Sequence, residues 1–534
     1  MKTFISRGEP QVWLTAAALT TTLLMGLTLI VVVMINGLGA FWPSRLVELE
    51  LQGGQKVLGE LLRREPLPDH SGMRQQFKVG NRDLYGMDFR WVDEKQVIGR
   101  QWPQQAITVE RSEYGHFFGF LKQVVVPQPE QVFDAGDSPW QQLASARKAV
   151  AALQDKLDEV MSQINSVNYA LEKEQDRLLR FDYQGVSGED PQRLAVKAEI
   201  ESLKAEFAQL VRQQRQQQGQ LTGYYAQFED VNGRTKRIEL DGIVRCYPSN
   251  ELSLVGRCGI YASKLWELLS GEPRESNTEG GLFPAIFGTV LLVFVMSLFS
   301  FPLGVIAAVY LREYAGDGLM VRLVRIAVNN LAGIPSIVYG IFGLGFFVYG
   351  IGSGIDQLFF PERLPTPTFG TGGLLWASLT LALLTVPVVI VTTEEALGAI
   401  PGGIREGSLA LGSTRFQTLT RILLPMASPG IMTGLILSMA RAAGEVAPLM
   451  ITGVVKLAPA LPLDGQFPFF HLERKFMHLG FHIYDIGFQS PNVEAARPMV
   501  FVTTLLLVLI VLLMSGVAIR LRNRMKKKYT FGTF

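Results

Sequence analysis

The sequence predicts a mainly α membrane protein with six transmembrane helices and a large extracytoplasmic α/β insertion. Three observations predict it. Residues 1–40 and 283–520 are strongly apolar, whereas roughly 44–280 have the composition of an ordinary soluble domain. A bilayer core takes about 20 apolar residues of helix, and six stretches qualify: about 12–35, 283–310, 326–350, 373–393, 430–455 and 498–520. Basic residues then sort the loops, because Lys and Arg beside spans stay on the cytoplasmic side.

The first span reads as a retained anchor, since its apolar run of about 24 residues exceeds the roughly 7–15 of a cleaved signal. The tail beyond the sixth span carries Arg520, Arg522, Arg524, Lys526, Lys527 and Lys528. The loop after the second span carries Arg312, Arg322 and Arg325, and the loop after the fourth Arg405, Arg415 and Arg421. Six spans with both ends inside put all three basic segments in the cytoplasm and 44–280 outside. The net charge is only +2, so no global field draws in nucleic acid or anions.

Within the soluble block, residues 50–140 and 222–262 alternate short β-like runs such as "QAITVE" and "RIELDGIVRCYP" with turn signals. Between them Leu143, Val150, Leu157, Ile164, Leu171 and Leu178 recur every seven residues. Ala146, Leu153, Val160, Val167 and Phe181 fill the intervening positions, and Glu174 breaks the series. After "DYQGVSGEDP" a second run follows: Val196, Ile200, Leu203, Phe207 and Leu210. Two heptad arms around a turn predict an antiparallel coiled-coil hairpin over about 141–221. It is either a rigid spacer or a docking arm for a partner. Cys246 and Cys258 flank "YPSNELSLVGR", which reads as a hairpin turn. Outside the inner membrane such a pair tends to oxidise, so a disulfide is expected, with two free thiols the alternative. No His or Cys stands at metal-ligand spacing nearby, so no metal site is expected.

The loop between spans four and five, about 394–429, reads "TTEEALGAIPGGIREGSLALGSTRFQTLTRILLPMASPG". In it Glu406, Gly407 and Ser408 precede Gly412, and nine intervening residues then lead to Ile422, Leu424 and Pro425. This resembles the EAA loop of ABC importer permeases, E-A-A-x3-G-x9-I-x-L-P. Gly407 and Ser408 depart from Ala-Ala but remain small. Small residues permit close docking and Gly412 supplies a tight turn. The resemblance implies a type-1 ABC importer permease fold and an ATPase partner docked on this loop. No G-x-x-x-x-G-K-[ST] phosphate loop occurs, so ATP and Mg are expected on that partner, with no cofactor and no enzyme activity on this chain.

In the fifth predicted span, "SMARAAGEVAPLM" places Arg441 and Glu445 one turn apart near mid-bilayer. A charge there costs at least about 2.5–3.5 kcal/mol on insertion scales, so it must face a cavity or pair internally. On a continuous helix Ser438, Arg441, Glu445, Pro448 and Thr452 share one face. Arg suits an oxyanion through its forked donors and permanent charge. The alternative is a staple between helices, and the two roles are compatible.

Together with "NNLAGIPSIVYGIFGLGFFV" in the third predicted span, these segments resemble the A-type (PstA) permease subunits of phosphate importers over about 283–520. The family carries an Arg and a Glu that match Arg441 and Glu445. The resemblance implies phosphate as substrate and alternating access driven by ATP. It also implies a second, PstC-like permease, two PstB-like ATPases and a periplasmic PstS-like phosphate-binding protein, all at the bacterial inner membrane. The expected organisation is a cytoplasmic tail and first span (1–40), a periplasmic domain (41–280), the permease domain (281–520) and a basic cytoplasmic tail (521–534). The insertion has no counterpart in the compact family pattern. Two rivals stay open: a permease for phosphonate, sulfate or molybdate, and a receptor or scaffold built on the hairpin. The latter lacks a cytoplasmic signalling domain.

Overall fold

A computed structural model describes residues 9–67, 72–128, 132, 138–316 and 318–529. Residues 1–8 and 530–534, the outer parts of the two predicted tails, lie outside the described residues.

Six helices are long and apolar enough to cross a membrane. They are α1 (Gln11–Gly39), α5 (Phe283–Tyr314), α7 (Ser336–Phe359), α8 (Leu374–Gly398), α10 (Arg415–Gly444) and α13 (Val493–Lys527). Helix α8 lies innermost, against α5 on one side and α10 on the other. Its Leu374, Ala377, Leu381 and Ala382 share a core with Leu292, Val293 and Met296 of α5. Helix α13 packs on α10 and on the short α12 (Leu479–Tyr484), and α1 leans mainly on α13 and leaves most of its surface uncovered.

Two predicted spans are displaced. The third begins at Ser336, not near 326, because Gly333 and Pro335 interrupt the helix. The residues before them form a separate amphipathic helix, α6 (Leu319–Leu331). The fifth runs from Arg415 to Gly444 and not over 430–455. At Glu445 the backbone is extended (φ −77°, ψ 130°), and a short helix, α11 (Ala447–Thr452), follows with Pro448 in its first turn. Hydropathy runs through this break, and so conceals it.

Between α1 and α5 stand two five-stranded antiparallel sheets and a two-stranded ribbon that pairs Pro273–Arg274 with Glu279–Gly280. The first has the order β4-β3-β2-β1-β5, from β1 (Leu46–Leu51), β2 (Lys56–Pro66), β3 (Met73–Lys78), β4 (Phe89–Asp93) and β5 (Val97–Gln101). The second has the order β10-β6-β7-β8-β9, from β6 (Ile107–Arg111), β7 (His116–Val125), β8 (Tyr225–Glu229), β9 (Thr235–Glu239) and β10 (Ile243–Pro248). Alternating residues of the first sheet, including Leu49, Val57, Phe77 and Val92, are buried on one face, as a half-covered antiparallel sheet requires.

Helices α2 (Pro139–Tyr183) and α3 (Pro191–Leu221) interrupt the second sheet between β7 and β8. Helix α2 starts at a capping box, in which Ser138 and Gln141 satisfy each other's backbone N–H. The helices run antiparallel: Arg193 reaches Asp182 near the tip, and Gln214 bonds Met161 Sδ at 3.1 Å further back. Val160, Ile164 and Val167 of α2 meet Phe207, Leu210 and Val211 of α3. The base of the pair is part of the domain core. Leu143, Ala146, Val150 and Leu221 pack on Val109, Phe117, Ala226 and Phe228 of the second sheet.

The far third of α2 does not project freely. Arg180 Nε donates to Glu362 Oε1 at 2.7 Å, Arg363 pairs with Asp176, and the Tyr169 hydroxyl donates to Phe467 O. Residues 362–363 connect α7 to α8, and Phe467 lies in the long segment after α11.

The two cysteines are free, which corrects the expected disulfide. "YPSNELSLVGR" is no hairpin turn: it leads from β10 into helix α4 (Leu254–Ser270), whose N-cap Ser253 accepts from Gly256 N. Arg245 and Tyr247 of β10 face α4, where they meet Ser263 and Lys264. Cys246, between them in a strand, must point to the opposite face, into the core beneath α2. Cys258 is exposed on α4. Burial pushes the Cys246 thiol up to about 12, which leaves it unreactive.

Candidate coupling loop and anion path

The segment after α8 turns out of the helix at Ile400 and Pro401, then forms α9 (Gly402–Ala410) and a tight turn into α10. Gly412 holds φ +86° in open space, and its N–H donates to Leu409 O at 3.0 Å. Thr414 opens α10 with a capping box closed by Gln417. The two arms are tied by Ser408 Oγ and Thr418 Oγ1, 2.9 Å apart and buried. A small hydroxyl residue at position 408 therefore contacts the facing arm.

Glu406 and Gly407 are exposed, and Leu411 and Phe416 at the tip are 89% and 66% exposed. The tip offers apolar side chains with an acid behind them. Ile422, Leu424 and Pro425 sit in the first turns of α10 and are partly covered. Their neighbours Leu419 and Leu423 bury against Leu397 and Ile400, so the Ile-x-Leu-Pro segment anchors the loop and is not part of its exposed surface.

Sequence reasoning missed the clamp that fixes this loop to α5. Arg405 Nη2 and Nε reach the two oxygens of Glu313 at 2.9 and 3.3 Å. The same guanidinium donates to Leu397 O and Ile400 O at 2.7 and 3.2 Å. One side chain thus joins the end of α5, the end of α8 and α9. Glu313 lies 92 residues from Arg405, and no local pattern announces such a pair.

Arg441 stands in the last turn of α10, with Nε 3.4 Å from Glu445 Oε1. Their side chains are 37% and 20% exposed. The pair therefore occupies a helix end beside an interruption of the helix and not the middle of a continuous span. This corrects the expected one-face stripe. Ser438 is fully buried and donates to Gly434 O at 2.9 Å. Thr452 is fully buried on α11 and donates to Pro448 O at 2.9 Å. Neither hydroxyl faces an open path. Opposite the break, α7 comes very close: a Cβ on Gly340 would lie 2.8 Å from Pro448 Cα.

A second unanticipated residue is Asp356 at the end of α7, almost fully buried. Its carboxylate accepts from Phe369 N at 2.9 Å and Gly370 N at 2.6 Å, and holds the connection to α8. Among the described residues no group of His, Cys, Asp and Glu is arranged to hold a metal ion.

A family profile described as "binding-protein-dependent transport system inner membrane component" matches residues 300–527. The match runs from within α5 through α13, includes the loop just described, and leaves out α1 and the two sheets. The PstA phosphate transport permease of Pasteurella multocida is 30% identical over 254 residues, which span 47% of this chain and 81% of that one. This chain belongs to the PstA-type permease family. A probable ABC transporter permease of Bacillus subtilis, YqgH, is 33% identical over 198 residues, and PstA of Mycobacterium leprae is 36% identical over 203. The chain spans 60% and 61% of the length of these two relatives, using 37% and 38% of its own. A solved methionine ABC transporter in an inward-facing form covers 49% of the chain at 20% identity and a TM-score of 0.34, too distant to bear on the fold. The family profile thus accounts for most of the membrane half of this chain and does not extend over the insertion.

Proposed function

We propose that this chain is one membrane subunit of an ATP-driven importer that moves inorganic phosphate across the bacterial inner membrane. The exposed turn between α9 and α10 carries the reading. It presents Glu406, Leu411 and Phe416 outward from a rigid base, as a surface docked into a partner's groove must. The partner is the PstB-like ATPase, present in two copies with ATP and Mg. When the ATPases close, the loop moves, and the Arg405–Glu313 clamp carries that motion to the ends of α5 and α8. Alternating access follows, with a PstC-like permease as the other half of the path.

Phosphate released by a PstS-like binding protein passes Arg441. A guanidinium offers two parallel donors to an oxyanion. Glu445 competes for the same donors, which weakens retention and lets the ion leave. The helix end leaves Arg441 partly exposed, which favours contact with a passing anion over a buried staple. Ser438 and Thr452, bonded to their own helices, shape the helices and do not touch the ion.

The basic loops, both termini and the coupling loop are cytoplasmic in this reading, and the sheets and helical pair are periplasmic. The coiled-coil hairpin acts as a brace, with its far end on the connections after α7 and α11. Those are the outer ends of the moving helices. The test is ATP-dependent uptake of labelled phosphate by the assembled complex, with sulfate, molybdate and phosphonate as competitors. Preference for one of these would move the assignment to that oxyanion.

A further inference from the structure

Helix α4 carries an apolar face that the rest of the chain leaves uncovered. Val255, Cys258, Gly259, Ala262, Trp266 and Leu269 recur at intervals of three and four, and all are exposed. Val255 is 83% and Trp266 71% exposed. At 3.6 residues per turn they share an arc of about 100°, the width of a normal buried stripe. No charged side chain falls within it.

The charged face of α4 is turned inward instead. Lys264 Nζ lies 2.6 Å from Glu110 Oε1, and Glu267 pairs with Arg245 and Arg274. A helix on a domain surrounded by water has the reverse arrangement. The environment outside α4 must therefore be apolar.

Two contacts fix how α4 sits. Trp42, three residues beyond the end of α1, packs its ring on Tyr261 with centroids 5.8 Å apart. At the other point Leu282 N donates to Leu268 O at 2.7 Å, and Phe283, the first residue of α5, donates to Gly271 O at 3.2 Å. The chain between α1 and α5 lies on one side of the bilayer, so the end of α1 and the start of α5 mark the same membrane surface. Tyr261 and Leu268 are separated by about 10 Å of helix. A helix that meets one surface at two points so far apart runs along it.

The geometry points to α4 as an interfacial helix, its apolar stripe seated in the headgroup and upper acyl region of the outer leaflet. Such helices sink about 5–10 Å into that boundary. Trp266 has an apolar body and one N–H, which suits it to this depth. Lipid is the occupant because α4 lies where the end of α1 and the start of α5 meet the membrane surface, as its contacts with Trp42, Leu282 and Phe283 show. Helix α1, beside it, has no residue of its most apolar stretch buried within the chain. The insertion is thereby held at the membrane along α4 as well as by the two spans that flank it.

Cys258 lies within the stripe, and Cys246 is only partly buried, so both chains of the test carry Cys246→Ser and each then has one attachment point. The full-length chain is spin-labelled at Cys258 and reconstituted into phosphatidylcholine–phosphatidylglycerol vesicles. The reference is a Cys258→Ser, Gln163→Cys chain, labelled on an exposed position of α2. The label at 258 is expected to show a ratio of oxygen to water-soluble nickel accessibility several-fold above the reference, and to broaden with doxyl-labelled lipid. A ratio equal to the reference would overturn the inference. Shielding from both reagents would overturn it as well, since a protein neighbour and not lipid would then cover the stripe.

Discussion

Arg441 sits where α10 stops, and its role shows in what happens when its charge is removed. Arg441→Gln leaves Glu445 without its partner, so lost uptake alone would not separate transport from stability. The double change Arg441→Gln, Glu445→Gln removes both charges. It is expected to reach normal membrane levels and still fail to take up phosphate, whereas a staple would recover both. At the loop, Gly412→Pro cannot reproduce φ +86° or the bond from Gly412 N to Leu409 O. Membrane insertion should be unaffected and recovery of the ATPase in a pull-down should fall severalfold; undiminished recovery would remove the docking role. Glu313→Gln keeps the shape of the clamp and removes its charge. ATP hydrolysis should then continue while phosphate transport per ATP drops, a split that a merely destabilised protein would not give.

At the scale of elements, the helical pair shows how far the sequence was legible. The heptad positions and the turn between the arms are local features, so periodicity found both helices. The packing of Leu143, Ala146, Val150 and Leu221 on the second sheet is not local, and neither are the contacts of Tyr169, Asp176 and Arg180 with connections hundreds of residues away. Excising 141–221 is therefore expected to cause aggregation, because it strips buried side chains worth about 1.5–3 kcal/mol each from the domain core. Excising only 161–214, whose end residues Met161 and Gln214 are already bonded, should leave a folded chain, as monodispersity in detergent would report. The same limit explains the spans. Hydropathy located six helices but not the breaks at Pro335 and Glu445, since a helix end inside an apolar run changes no average. The tight turn at Gly412 was legible because it is set by neighbouring residues. The orientation of Cys246 away from Cys258 was not, because it depends on which face of β10 meets α4.

For the whole molecule, the insertion and the permease half share a polar junction. Arg63 bonds Glu494 at 2.9 Å, Asn492 donates to Asp88 at 3.2 Å, and Asn277 donates to Lys456 O at 2.9 Å. Within it burial raises the Glu279 carboxyl, but His116 and Lys78 outweigh that and hold it at about 2, below its ordinary 4.5. A depressed carboxyl stabilises the folded form above pH 4.5, and that contribution is lost as pH falls toward 2. Thermal unfolding should show the junction losing about 2–3 kcal/mol over that window, and Glu279→Gln should flatten the dependence; an unchanged pH profile would deny Glu279 this role. The central claim is that the membrane half moves phosphate under the control of a partner ATPase. It is tested most directly in vesicles that hold the assembled permeases and ATPases, with the binding protein and labelled phosphate outside and ATP inside. The expected result is accumulation that requires ATP, is not competed by sulfate or molybdate, and is abolished by Arg441→Gln, Glu445→Gln without loss of assembly. Full accumulation by that double variant, or accumulation of sulfate in preference to phosphate, would contradict it.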